Sequence, residues 1–299
     1  MQLSRTWMTA LIGVSSLGLT GCAAPNDGEV PSDWWQEGDD FDVIEHVEFT
    51  DQPYDFTGQT PIGDLVDPND FSVVFGSDED LQVGQCDGWS TTDNLPVEIT
   101  GIVTIHPRLY SKKSGCDPIS TDRVYPSDEK YYGSYFIEDA SGGMFVLGDT
   151  KVAHFDHGDR VTLKVRAVKK EFGTQMISTH DVVRVEPGPE PISFKMASGV
   201  LDEETTGEVY RVSGRVITEQ DTFGQLQIEA ADGTIYDLSV DSELSRRGLN
   251  LPVGGMVQVT GPVSNGFQSV KQVVIMMLGQ VCTTEGEIQR VASCAEQGQ

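Results

Sequence analysis

The sequence predicts an all-β protein: two five-stranded OB-type barrels in tandem, behind an acidic and largely disordered N-terminal leader. Three observations predict it. Short runs with period-two alternation and β-branched content recur from Val97 to Leu278, separated by Gly, Asp and Pro. One of them, Tyr135 to Val146, reads as a hairpin whose Glu138-Asp139-Ala140-Ser141-Gly142-Gly143 turn supplies residues tolerant of positive φ. Its surroundings occur twice, on either side of Pro187-Gly188-Pro189-Glu190-Pro191, a run that stops regular structure.

Residues 1–21 read as an export signal. Arg5 is the only charge there, and Trp7 to Leu19 is apolar but too short and too interrupted by Thr, Ser and Gly to span a bilayer. The stretch ends in Leu19-Thr20-Gly21-Cys22, which resembles the lipobox of bacterial lipoproteins. That resemblance implies lipidation of Cys22, membrane attachment through the lipid, and a cell-envelope address. Ala23 in the following position leans towards the outer membrane. Several acyl chains would anchor stably, since each buried methylene contributes roughly 0.8 kcal/mol.

Residues 22–45, rich in Asp, Glu, Gly, Pro and Ser, read as a disordered acidic tether. Residues 46–92 carry apolar clusters at Ile62 to Val66 and Phe71 to Phe75, and are expected to pack on the first barrel. Between Cys22 and Pro107 there are twenty Asp and Glu and no Lys or Arg, within a formal net charge of −27 for the chain. Such a field repels phosphate backbones, which makes duplex nucleic acid an improbable partner.

The first barrel is expected over 93–187. Val97 to Val103 bends at Gly101, the hairpin supplies the next two strands, and Arg160 to Ala167 alternates as the fourth. Gln175 to Val185 is the fifth. After a linker at 188–205, the pattern returns over 206–280: Tyr210 to Val216 with Gly214, a second hairpin around Asp232-Gly233, then Gly255 to Gly261 and Gln268 to Leu278. The two copies differ mainly in a loop containing Cys116, which makes Gly101 to Gly158 a span of 57 residues against 41 for Gly214 to Gly255. A glycine-bent first strand and a connector before the fourth describe an OB-type barrel. Tyr135 to Val146 followed by Gly158-Asp159-Arg160-Val161 resembles OB-fold accessory modules of bacterial extracellular nucleases and surface lipoproteins. The resemblance implies binding or spacing rather than turnover.

With Cys22 set aside, Cys86, Cys116, Cys282 and Cys294 remain, an even number in an oxidising setting. Four cysteines allow three pairings; proximity favours Cys86 with Cys116 and Cys282 with Cys294, the latter closing a C-terminal tail over 281–299. Their spacings contain no Cys-x-x-Cys unit, which argues against zinc. His154, Asp156, His157 and Asp159 cluster without a helical frame or a further ligand, and read as loop residues. Asp67 to Asp70 and Asp78 to Asp80 are acidic without EF-hand spacing. No cofactor or metal is expected.

One local reversal of charge stands out. With Val161, Leu163, Val165 and Ala167 inward, Arg160, Lys164 and Arg166 form an outward row, and Lys169 and Lys170 follow. If Tyr135 and Ile137 also point inward, Phe136 points outward and Phe145 joins it, giving an aromatic and basic binding face. The leader between Asp64 and Asp93 is expected to fold back onto this row. Lacking a nucleophile elbow, a phosphate-cradling loop or an HExxH motif, the sequence reads as a non-enzymatic binding or scaffold lipoprotein for an envelope protein or polysaccharide. An accessory single-strand or polyanion binder and a hydrolase of unknown type are the alternatives.

Overall fold

A computed structural model describes residues 47–56, 59–76, 89–107, 109–112, 130–147, 155–188, 190–241, 244–245, 248–266 and 270–297. Cys22, Cys86, Cys116 and His154 lie outside these residues, as do the export signal and the tether. The described chain is all-β, as the alternating runs predict.

The second unit is a closed five-stranded barrel. Its strands are β12 (Val209–Val216), β13 (Gln225–Glu229), β14 (Ile235–Val240), β15 (Met256–Asn265) and β16 (Lys271–Ile275). They pair in the order β12-β13-β14-β16-β15, and β15 returns to β12; β14 and β16 run parallel. Gly214 sits where β12 passes closest to β13: a Cβ there would stand 2.5 Å from the Glu229 carbonyl oxygen. The C-terminal residues are not a loose tail. Strand β17 (Val281–Glu285) pairs with β15, and Cys282 is bonded to Cys294, the pairing that proximity favours.

In the first unit, β4 (Val97–Val103), β6 (Lys130–Asp139), β7 (Gly142–Val146), β8 (Arg160–Glu171) and β9 (Thr174–Glu186) pair in the corresponding order, and β5 (Leu109–Lys112) adds to β6. Strand β8 is the long member. One edge runs beside β9 for its whole length, while the other meets β4 over Arg160–Val165 and β2 (Ser72–Phe75) over Ala167–Lys170. A leader strand thus covers the overhang of β8, whose backbone donors and acceptors would otherwise form an open edge. In turn β2 carries β3 (Trp89–Thr91). Val161, Leu163, Val165 and Ala167 are buried as the alternation predicts. At Ala167 the register shifts, and Ala167, Val168 and Lys169 are all buried, because the bulge rotates the strand while Val73 and Phe75 of β2 cover Ala167.

The stretch after the Pro-rich run is built into the molecule. Strand β10 (Ile192–Ser193) pairs in parallel with β1 (Phe49–Thr50), and β11 (Lys195–Met196) pairs in parallel with β12. Arg211 of β12 lies over the Phe194 ring, 3.7 Å from its centroid, and also faces Phe49.

The hairpin β6–β7 forms where it is predicted, and its register places Phe136 opposite Phe145. Its predicted outward face is corrected: Phe136 is 0% and Phe145 8% exposed, and their rings pack edge to face. The reason is tertiary. Both faces of the hairpin belong to one core that also takes Ile62 and Leu65 of the leader and Val209, Val274, Met276 and Met277 of the second unit. Gly143 lies so close to Gly207 that a Cβ on it would stand 2.1 Å from the Gly207 carbonyl oxygen. The turn residues hold the leader: Asp139 Oδ2 accepts from the Ile62 amide at 2.9 Å, and Ser141 Oγ accepts from the Gly63 amide at 2.9 Å.

Candidate functional site

Arg160, Lys164 and Arg166 fall on the predicted side of β8, half-buried between the inward residues. The charges of Arg160 and Arg166 are engaged within the molecule. Arg160 binds both carboxylate oxygens of Glu190 and lies over the Phe56 ring, 4.7 Å from its centroid. Arg166 pairs with Asp181 at 2.7 Å. Lys164 stands in register with Glu98 on β4 and Asp181 on β9. Lys169 is buried and pairs with Glu171. With Phe136 and Phe145 inside the core, the aromatic and basic face expected from alternation is not assembled.

Another surface is. The β8–β9 turn consists of Phe172 and Gly173, both at positive φ (52° and 76°), as a type I′ hairpin turn demands. Asn, Asp or Gly ordinarily takes the place of Phe172, because a left-handed L-residue costs roughly 1–2 kcal/mol. Beside it, Phe71 also sits at positive φ (60°), at the turn that enters β2. The two rings meet edge to face at 5.1 Å, and they remain 60% and 61% exposed. A phenyl ring left in water forgoes much of the roughly 1.5–3 kcal/mol that burial would contribute.

The backbone beneath these rings is well tied. The Phe71 amide donates to the Lys170 carbonyl at 2.8 Å, and the Gly173 amide donates to Asp70 Oδ1 at 3.1 Å. From the second unit, Asn265 Nδ2 donates to the Phe172 carbonyl at 2.9 Å and to Thr174 Oγ1 at 2.6 Å. Next to Phe172 opens a cleft of about 470 Å3, lined by Asp67, Asn69 and Asp70 of the leader, Lys170 of β8, and Glu203 and Lys271 of the second unit. Lys170 bridges Asp67 at 3.3 Å and Glu203 at 3.2 Å. Burial disfavours its charge, yet the two carboxylates outweigh that and raise its pKa. Burial lowers that of Lys271, against the pull of Glu203 and Asp202. Asp67 and Asp70, acidic without EF-hand spacing, thus serve an ion pair and a turn.

The histidine cluster is assembled differently from its sequence neighbourhood. His106, which follows β4, and His157 both place Nδ1 on Asp156 Oδ1, at 2.8 Å and 2.9 Å. Burial works against the Asp156 charge, but the two imidazole contacts prevail and hold its carboxyl well below the usual carboxylate range. Asp159 accepts from the backbone amides of Asp156 and Gly188. Among the described residues no group of three or more His, Cys, Asp or Glu is placed to hold a metal ion.

Sequence reasoning missed Phe71 and Phe172. Phe71 reads as the start of an apolar strand, and Phe172-Gly173 reads as the gap between two strands. The available signal was the pair itself, an aromatic residue before Gly in a two-residue hairpin turn where Asn-Gly or Asp-Gly is the favoured sequence. In comparisons with known proteins, the chain matches no family model and no curated sequence.

Proposed function

We propose that this protein is a non-enzymatic binding or scaffold lipoprotein of the cell envelope, attached through lipid on Cys22 and built on two tandem OB-type units. It engages an envelope protein or polysaccharide through the surface around Phe71 and Phe172. The observation that carries this reading is the exposed pair of phenylalanines at positive φ, held open where the leader, the first unit and the second unit meet. Folding alone recovers only part of the burial energy of two such rings, whereas a partner that covers them recovers the rest. The second unit's closed strand order, and the corresponding pairings of the first, support the OB-type reading. Internal pairing of Arg160, Arg166 and Lys170 weighs against a polyanion binder.

The test is retention of envelope material by the full, Cys22-anchored chain, compared with a Phe71→Ala/Phe172→Ala double variant that is equally lipidated and folded. Wild type should retain a component that the variant releases. Equal retention by both proteins would overturn the reading.

A further inference from the structure

We infer that the cleft beside Phe172 binds a neutral, polyhydroxylated glycan, seating the C–H face of one hexose ring on the phenyl ring and its hydroxyls among the charged side chains. This rests on the binding reading above and goes further by specifying the ligand's chemistry.

The cleft combines two kinds of surface. Phe172 offers an apolar ring, perpendicular to that of Phe71 at 5.1 Å. Around it stand acceptors at Asp67, Asp70 and Glu203 and donors at Lys170 and Lys271. A hydroxyl both donates and accepts, so a ring of hydroxyls finds partners of either kind here, while an aliphatic chain would strand these charges. The combination suits a ligand with an apolar face and a polar rim. Its volume of about 470 Å3 lies within the range of about 300–1,000 Å3 usual for small-ligand clefts.

Charge narrows the class. Among the described residues, three carboxylates and two ammonium groups line the cleft, in a chain of net charge −27, so a sulfated or phosphorylated polymer meets repulsion at long range. A quaternary ammonium headgroup would suit the two perpendicular rings and the negative field, but it carries no hydrogen-bonding group for the carboxylates and ammonium groups of the rim. A neutral polyol avoids the repulsion and uses that rim. The site is also preorganised: Lys170 is pinned between Asp67 and Glu203, Asp70 is fixed by the Gly173 amide, and Phe172 is anchored through its carbonyl to Asn265. The Lys170 side chain and the backbone that carries Phe172 are thus ordered before binding.

The test titrates the full chain by calorimetry with neutral hexasaccharides of glucose, galactose and mannose, alongside sulfated dextran and choline. At least one neutral hexasaccharide should bind saturably, and Phe172→Ala should weaken it by about tenfold or more. Phe172→Gly should lose binding equally while its melting temperature holds or rises, since glycine suits the positive φ of this position. The inference is overturned if no neutral sugar binds, if both variants bind as wild type does, or if only sulfated dextran or choline binds. Should envelope retention still depend on Phe172 while no sugar binds, the partner is a protein; the glycan assignment then falls and the binding reading stands.

Discussion

Replacing Glu138 by Gln should stabilise this protein at neutral pH and leave it unchanged near pH 4. Glu138 lies in the hairpin, 3% exposed, at the junction of the two units. Its Oε1 accepts from the Val209 amide at 3.3 Å, and Oε2 is buried with no hydrogen-bond partner among the described residues. Burial is the chief cause that pushes its carboxyl well above the usual carboxylate range; Glu208 and Asp139 push in the same direction, and the Val209 amide and Lys195 oppose them. Tyr54, half-buried and with its pKa raised by desolvation, interacts with the same carboxyl. The unfolded chain releases this proton near its ordinary pKa, whereas the folded chain keeps it. Stability contributed by the protonated group is therefore complete below the unfolded value and is lost as pH rises towards the folded one. The slope reaches about 1.4 kcal/mol per pH unit for one proton. A glutamine side chain in this place keeps an acceptor for the Val209 amide and has no proton to lose. Urea unfolding of wild type and Glu138→Gln between pH 4 and 8 reads the effect of Glu138 together with its coupled neighbours, because titrating groups that do not interact with it cancel in the difference. Stability curves that stay parallel over this range would refute the reasoning.

Two further perturbations probe how the hairpin joins the molecule together. Asp139→Ala removes the acceptor for the Ile62, Ser141 and Gly142 amides, and should cost about 3 kcal/mol on the scale of hydrogen bonds to charged groups, with accelerated amide exchange at Ile62 ahead of the barrel strands. Exchange at Ile62 that matches wild type would show that the leader is held by other contacts. Gly143→Ala places a Cβ 2.1 Å from the Gly207 carbonyl oxygen, between two backbones that cannot both stay in place. It should cost about 1–3 kcal/mol or more, the usual scale of overpacking, and separate the melting of the two units in calorimetry. A single transition at the wild-type temperature would contradict that.

Much of the fold was legible because β-strands that bury one face declare it by alternation. Val161, Leu163, Val165 and Ala167 show this in the first unit, and Leu226 and Ile228 against Gln227 and Glu229 show it in the second. The same rule failed at Phe136 and Phe145, where it assumes that the opposite face meets water. Alternation reports which residues share a face, not what lies against that face. The basic row was legible as a row; its partners Glu190, Asp181, Asp67 and Glu203 come from 15 to 103 residues away in sequence and were not. Local patterns carry no information about such pairings.

By itself, then, the sequence determined the all-β class, the recurrence of the strand pattern, the hairpin from Tyr135 to Val146 and the pairing of Cys282 with Cys294, each of which depends on residues close together in the chain. Tertiary structure alone decided that the leader adds a strand to β8, that the hairpin is buried on both faces, and that Phe71 and Phe172 stand together beside a charged cleft. Those outcomes depend on contacts between residues far apart in the chain, such as the Gly173 amide on Asp70 across 103 positions. They are fixed by which surfaces remain to be covered once each unit has closed.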